Sequence, residues 1–190
     1  MTGEEVIQKF KSQGALLEGH FVLSSGLHSP VYLQCALALQ SSADAMLFGA
    51  AIAEQFKAMN IPTVASPAIG GIVIGYEVAR QLGARFIWTE REAGQMILRR
   101  GFSAREGDRV LVVEDVITTG GSTRDTIEAI QKTGATVVGA ASIIDRSGGK
   151  ADVGVPRFSL ASLNVPAIEP VDCEACKRGE PVTKPGSRKQ

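Results

Sequence analysis

One stretch constrains the fold more than any other: VLVVEDVITTGGST, residues 110–123, an unbroken apolar run that ends on Glu114 and Asp115 and turns at once into threonines and glycines. A strand apolar at every position is buried on both faces, as in a parallel sheet covered by helices. The rest of the chain alternates to match. TVASP, ARFIWTE, DRVLVVED and ATVVGAASIID read as strands, whereas Ala43 to Met59, GGIVIGYEVARQLG and STRDTIEAIQKTG carry helical spacing. Val6, Ile7 and Phe10 mark an opening helix, and Gly83 and Gly134 stand where later helices end. These features predict an α/β fold, a central, mostly parallel sheet flanked by helices.

In such a sheet ligands gather beyond the carboxyl ends of the strands, which is where residues 114–123 fall. Two carboxylates are costly to bury without partners, so Glu114 and Asp115 are expected to meet polar ligand groups or water. Gly120 and Gly121 let the backbone turn, and successive N–H groups at a helix start attract an anion. Thr118, Thr119, Ser122 and Thr123 add neutral hydroxyl donors. A lone TGG serves equally well to turn the chain while Ser122 or Thr119 caps the helix. The acids directly before it favour a sugar phosphate, with hydroxyls for the acids and phosphate for the turn. A nucleoside triphosphate loop of the G-x-x-x-x-G-K-[ST] type is excluded, because its lysine is missing. A second glycine loop, SPAIGG from Ser66 to Gly71, offers main-chain N–H groups to another anion or is a simple strand-to-helix turn.

Composition bounds the partners. At 190 residues, with 44% hydrophobic and 21% charged, the chain suits one soluble globular domain. Twenty basic residues balance twenty acidic ones, so no global positive field exists to hold nucleic acid. No apolar run reaches the roughly 18 residues of a membrane span, and the amphipathic amino terminus does not read as a secretion signal. The expectation is a cytoplasmic protein with no membrane partner. Cys35, Cys173 and Cys176 are too few for a disulfide scaffold. Structural zinc usually needs four ligands, and only Cys35, His20 and His28 could join the Cys173–Cys176 pair, so the pair reads as ordinary thiols and no protein metal site is expected.

The stretch 110–123 resembles the phosphoribosyl diphosphate (PRPP) signature of the type I phosphoribosyltransferases. GHFVLSSGLHSPVYLQCAL, IIDRSGG and the final KPGSR extend the similarity over nearly the whole chain, to the orotate phosphoribosyltransferases. The resemblance implies a type I phosphoribosyltransferase fold with a small amino-terminal hood, over residues 1–168, followed by a tail, 169–190. It implies transfer of phosphoribose from PRPP to orotate, with Mg²⁺ held mostly by PRPP, in a homodimer. By the same resemblance Glu114 and Asp115 hold ribose hydroxyls. Val116, Ile117, Thr118, Thr119, Gly120, Gly121 and Ser122 wrap the 5′-phosphate, and Gly70 and Gly71 meet diphosphate. Thr118 and Arg146 meet orotate, although position alone leaves Arg146 open to being a solvated surface arginine. Tyr32 offers a face for the ring or is a core aromatic. A transferase for another base and a PRPP-sensing regulatory protein are the alternatives.

The chain also departs from the family pattern. Many relatives carry a longer mobile loop with lysines and a histidine between the strand FIWTE and the PRPP strand, where REAGQMILRRGFSAREGD has only Arg91, Arg99, Arg100 and Arg105 as cations. Ser24 stands where relatives often have lysine, and Ile69 replaces a lysine of the diphosphate loop. Arg99 and Arg100 are therefore expected to be the catalytic cations, on a lid hinged at Gly94 and Gly101.

Overall fold

The computed structural model describes residues 1–23 and 25–185; Ser24 and the last residues of the KPGSR motif lie outside them. The chain opens with helix α1, Gly3–Ser12, started by a capping box in which Glu5 N–H donates to Thr2 Oγ1 (3.2 Å) and Thr2 N–H to Glu5 Oε2 (2.7 Å). Val6 and Phe10, one turn apart, are fully buried. An antiparallel hairpin follows, β1, Leu16–Val22, with β2, His28–Leu33, bulged between Glu18 and Phe21. This two-stranded hood lies outside the main sheet.

Helices α2, Cys35–Leu39, and α3, Ser42–Phe56, lead into a regular alternation. It runs β3, Thr63–Pro67; α4, Gly71–Leu82; β4, Arg85–Glu92; β5, Gln95–Leu98; β6, Arg109–Ile117; α5, Gly121–Gln131; β7, Thr136–Asp145; and β8, Arg157–Ser162. The six strands lie in the order β5-β4-β3-β6-β7-β8. All neighbours are parallel except β4 and β5. The expected α/β class and mostly parallel sheet are thus present.

Alternation along β6 explains its unbroken apolar run. Leu111 and Val113 face a cluster with Phe10, Phe48, Ile52 and Ile74, while Val110 and Val112 face Ile127, Ile130 and Val137. Both faces are therefore dry, one under α1, α3 and α4 and the other under α5. Because β3, β6 and β7 are adjacent and parallel, the segments after Pro67, Ile117 and Asp145 all emerge at one edge of the sheet.

One segment differs from expectation, and the tail finds a place the sequence did not specify. Much of the stretch expected to be a mobile lid forms the β4–β5 hairpin, with Thr89 opposite Leu98 and Glu92 opposite Gln95. Ala93 and Gly94 both have positive φ (49° and 83°), the two-residue turn whose twist matches paired strands, so Gly94 serves a tight turn here. The described part of the tail, residues 169–185, docks on the hood. Val22 N–H donates to the Thr183 carbonyl (2.9 Å) and Thr183 N–H to the His20 carbonyl (2.8 Å), with a 3₁₀ turn, Pro170–Asp172, and the short helix α6, Glu174–Lys177, between.

Candidate functional site

The acids at the end of β6 occupy the edge where the three strand ends meet. Glu114 is 8% exposed and Asp115 half-buried. Asp115 N–H donates to Glu114 Oε1 (3.2 Å), and Val116 N–H to Asp115 Oδ1 (2.8 Å). Burial pushes both carboxyls above their ordinary range, Glu114 further because the Asp115 charge lies beside it. Raised folded-state values mean that the native protein binds more protons than the unfolded chain in that window, so this pair lowers stability as pH rises through it. Glu114→Gln is therefore expected to gain stability relative to the parent as pH rises above the ordinary carboxylate range. Thermal melts across that range check this; a difference independent of pH would contradict it. A site that keeps such a cost is arranged for something other than stability.

The loop after the acids is open to solvent at Thr118, Thr119 and Ser122, and residues 114 and 116–123 line a small cavity of about 80 Å³. No side chain caps α5, so the capping role open to Ser122 and Thr119 is not taken up. Gly120 sits at φ 78°, and a Cβ there would come within 2.8 Å of Val153 Cγ1. Glycine is needed for both reasons.

The second glycine loop closes against the same acids. A Cβ on Gly70 would lie 2.9 Å from both carboxylate oxygens of Asp115, and one on Gly71 would lie 2.9 Å from the Val113 carbonyl oxygen and 3.2 Å from Glu114 Oε1. Only glycine permits this approach, which brings the expected diphosphate loop and the expected ribose acids together. The Ala68–Ile69 peptide is cis, and Ile69 is 85% exposed at the loop tip.

Arg146 follows β7 and is half-buried, with its N–H donating to the Ile117 carbonyl (2.8 Å). Burial pushes its guanidinium pKa down, opposed by the nearby Cys35 and Tyr32. Among the described residues it has no ion-pair partner. Burial, then Asp115 and Glu114, push the Cys35 thiol up, while Arg146 acts in the opposite direction. Arg146, Tyr32, Cys35 and the two acids therefore share one electrostatic neighbourhood. Tyr32 also packs on Phe21, ring centroids 5.9 Å apart, so it is half core and half cleft.

The four candidate loop arginines separate. Arg100, at φ 56°, donates from Nε to Glu90 Oε1 (2.5 Å), and lines a cavity of about 420 Å³ with Ala68 and Ile69 of the glycine loop. Arg99 lies 3.4 Å from Glu92 and 3.7 Å from Glu90, and does not line that cavity. Arg91 reaches Asp125 (2.7 Å), while Arg105 N–H donates to Asp108 Oδ2 (3.1 Å) well along the chain toward β6. Glu90, which holds both Arg100 and the Trp88 indole N–H (3.2 Å), was invisible as a site residue because its strand partner and the turn at Arg100 are tertiary features.

The tail cysteines are not isolated thiols. Cys173 is 5% exposed, and His20 and His28 meet it and Cys176, whereas Cys35 lies apart in the cleft. The available signal was a C-x-x-C with two histidines in the predicted hood; nothing in the spacing showed that the tail folds back.

Comparisons with known proteins agree with this geometry. The model of the phosphoribosyl transferase domain matches residues 40–169. The orotate phosphoribosyltransferase of Caldicellulosiruptor bescii is 51% identical over 190 residues, covering 100% of both chains, and that of Thermotoga maritima is 50% identical over 97% of each. Among solved structures, orotate phosphoribosyltransferase from Aeropyrum pernix superposes with a TM-score of 0.68 at 30% identity, over 83% of this chain and 93% of that one. The Mycobacterium tuberculosis orotate phosphoribosyltransferase in complex with PRPP matches with a TM-score of 0.67 at 25% identity, over 84% of this chain and 96% of that one. No helix among the described residues is long and apolar enough to cross a membrane. Full-length identity, a matching domain model and a cleft that joins both glycine loops to one acid pair place this chain among the orotate phosphoribosyltransferases, within the type I phosphoribosyltransferase family.

Proposed function

We propose that the chain transfers the phosphoribosyl group of PRPP to orotate, forming orotidine 5′-phosphate and diphosphate. The carrying observation is the half-buried Arg146 without an ion-pair partner among the described residues, one strand end away from the acid pair and its phosphate-type loop. A buried cation of this kind favours a base that bears a carboxylate, which distinguishes orotate from uracil, hypoxanthine and xanthine. Steady-state assays with these four bases test the reading; comparable turnover with uracil would remove Arg146 from its role.

In the reaction the bond from ribose C1 to diphosphate breaks, a bond from C1 to the orotate ring nitrogen forms, and positive charge develops on the sugar between these events. Glu114 and Asp115 orient the ribose through its hydroxyls and sit where that positive charge is stabilised. Main-chain N–H groups of residues 118–122, at the start of α5, take the 5′-phosphate, and the Thr118, Thr119 and Ser122 hydroxyls face the same space. Gly70 and Gly71 present main chain to the diphosphate, with Arg100 beside that loop. Arg146 pairs with the orotate carboxylate, Thr118 borders the base, and Tyr32 covers one side of it.

Mg²⁺ fits this cleft by the chemistry of its donors, since Glu114 and Asp115 are hard oxygen ligands, their charge disfavoured by burial, beside a loop suited to phosphates. Bound, the cation would neutralise diphosphate charge and make it a better leaving group. The same reading includes a cytoplasmic homodimer. Asp115→Asn is expected to weaken PRPP binding by about 10- to 100-fold, because a hydrogen bond to a charged group is lost. Calorimetric titration with PRPP checks it, and parental affinity in a folded variant would sink the assignment.

A further inference from the structure

We propose a structural zinc site, independent of the transfer reaction, formed by His20, His28, Cys173 and Cys176, which staples the carboxyl-terminal tail to the hood. The four candidate ligand atoms all lie within 4.8 Å of one another. Both Cys173 Sγ and Cys176 Sγ are 3.5 Å from His20 Nε2, and Cys176 Sγ is 3.2 Å from His28 Nδ1. A tetrahedral zinc with ordinary zinc–sulfur and zinc–nitrogen bonds sets sulfur and nitrogen about 3.6 Å apart. The observed edges are close to that, so a cation fits with little movement of the side chains.

The surroundings are those of a built site. His20 Nδ1–H donates to the Glu180 carbonyl (3.0 Å), which fixes the tautomer and leaves the Nε2 lone pair aimed into the cluster. His28 Nδ1 lies 2.8 Å from that Nε2, so two imidazole lone pairs converge on one point, where only a proton or a cation can sit. His20, His28 and Cys173 are buried. Main-chain bonds hold both histidine strands to the tail on either side of the cysteines. His28 N–H donates to the Ile168 carbonyl (2.8 Å) and Ile168 N–H to the His28 carbonyl (2.8 Å), while Thr183 N–H donates to the His20 carbonyl (2.8 Å).

The ligand set decides both the metal and its role. Two thiolates and two imidazoles suit zinc rather than Mg²⁺ or Ca²⁺, and two thiolates neutralise its charge. Four protein ligands leave no open position for a substrate, so the site is structural. The histidines come eight residues apart because they lie on paired strands, Val22 opposite His28, with His20 in the bulge just before Phe21, where both it and Phe21 are buried. Tyr32 is four residues along β2, about 13 Å from His28, so the staple also steadies the hairpin that carries Tyr32 to the cleft.

The test uses the full chain, purified untagged, reduced and without chelator. Elemental analysis is expected to find about one zinc per chain, and Co²⁺ exchanged for it is expected to give a thiolate-to-cobalt charge-transfer band with tetrahedral ligand-field absorption. Cys176→Ser should weaken the charge-transfer band, because one of its two thiolates is gone, and both Cys176→Ser and His28→Ala should weaken metal binding and alter the tetrahedral ligand-field absorption. Metal removal should lower the melting temperature by roughly 5–15 °C. Should either variant fail to fold, the parent still decides. A reduced parent that takes up neither Zn²⁺ nor Co²⁺, a native mass showing a Cys173–Cys176 disulfide, or metal removal without a change in melting would each overturn the proposal.

Discussion

Arg146→Ala is expected to raise the orotate concentration for half-maximal rate by about 10²- to 10³-fold while leaving that for PRPP within a few-fold of the parent. The size follows from burial. An exposed arginine pairs weakly with a carboxylate, but Arg146 is half-buried and its charge is already disfavoured by its surroundings. An incoming carboxylate therefore meets a cation that has given up much of its water. Removing the guanidinium leaves that carboxylate buried without a partner, which costs more than the pair itself is worth. The fold should tolerate the change, since the side chain makes no ion pair among the described residues and its N–H bond to Ile117 belongs to the backbone. Steady-state kinetics with each substrate varied in turn separates the outcomes. Equal effects on orotate and PRPP would assign Arg146 a structural role.

For Arg100→Ala the expected loss is in turnover, on the order of 10²-fold at saturating substrates, with the melting temperature near that of the parent. In the proposed reaction the departing diphosphate gathers negative charge beside Gly70 and Gly71, and Arg100 is the member of the Arg99–Arg100 pair that lines the cavity with Ala68 and Ile69 of that loop. Its guanidinium is held in reserve by Glu90, whose carboxyl it keeps below the usual range. Arg100 is exposed, 63% at its side chain, and an ion pair with a solvated partner contributes little to stability, so its removal is not expected to unfold the hairpin. Arg99→Ala should cost less, because Arg99 faces Glu92 and Glu90 without reaching the cavity. Parental turnover in both variants would end the idea that these arginines supply the missing lysine charge, and Arg91, which lines the same cavity, would be examined next.

The α/β class, the positions of the central strands along the chain and the acid–glycine turn were all readable in the sequence, because each is encoded by neighbours. Leu111 and Val113 can alternate with Val110 and Val112 only in a strand covered on both sides, and Glu114–Asp115 before Gly120–Gly121 places carboxylates and N–H groups at one strand end. The edge strands were not readable in the same way: β5 is four residues long, and β8, Arg157–Ser162, mixes arginine and serines with its apolar positions. Local pattern weakens where one side of a strand is unpaired.

What tertiary structure alone decided were the distances between segments remote in sequence. Gly70 lies against Asp115 because β3 and β6 are neighbours, although 45 positions separate the two residues. Arg100 and Arg99 differ only in which one a positive-φ turn aims toward the glycine loop. The Cys173–Cys176 pair became a four-ligand cluster only through hydrogen bonds from Ile168 and Thr183 to the hood, which return the tail to His28 and His20. Sequence carries the chemistry of each side chain and the period of each element. Which side chains share a site depends on sheet order and on where a tail docks, and those are set by packing over the whole domain.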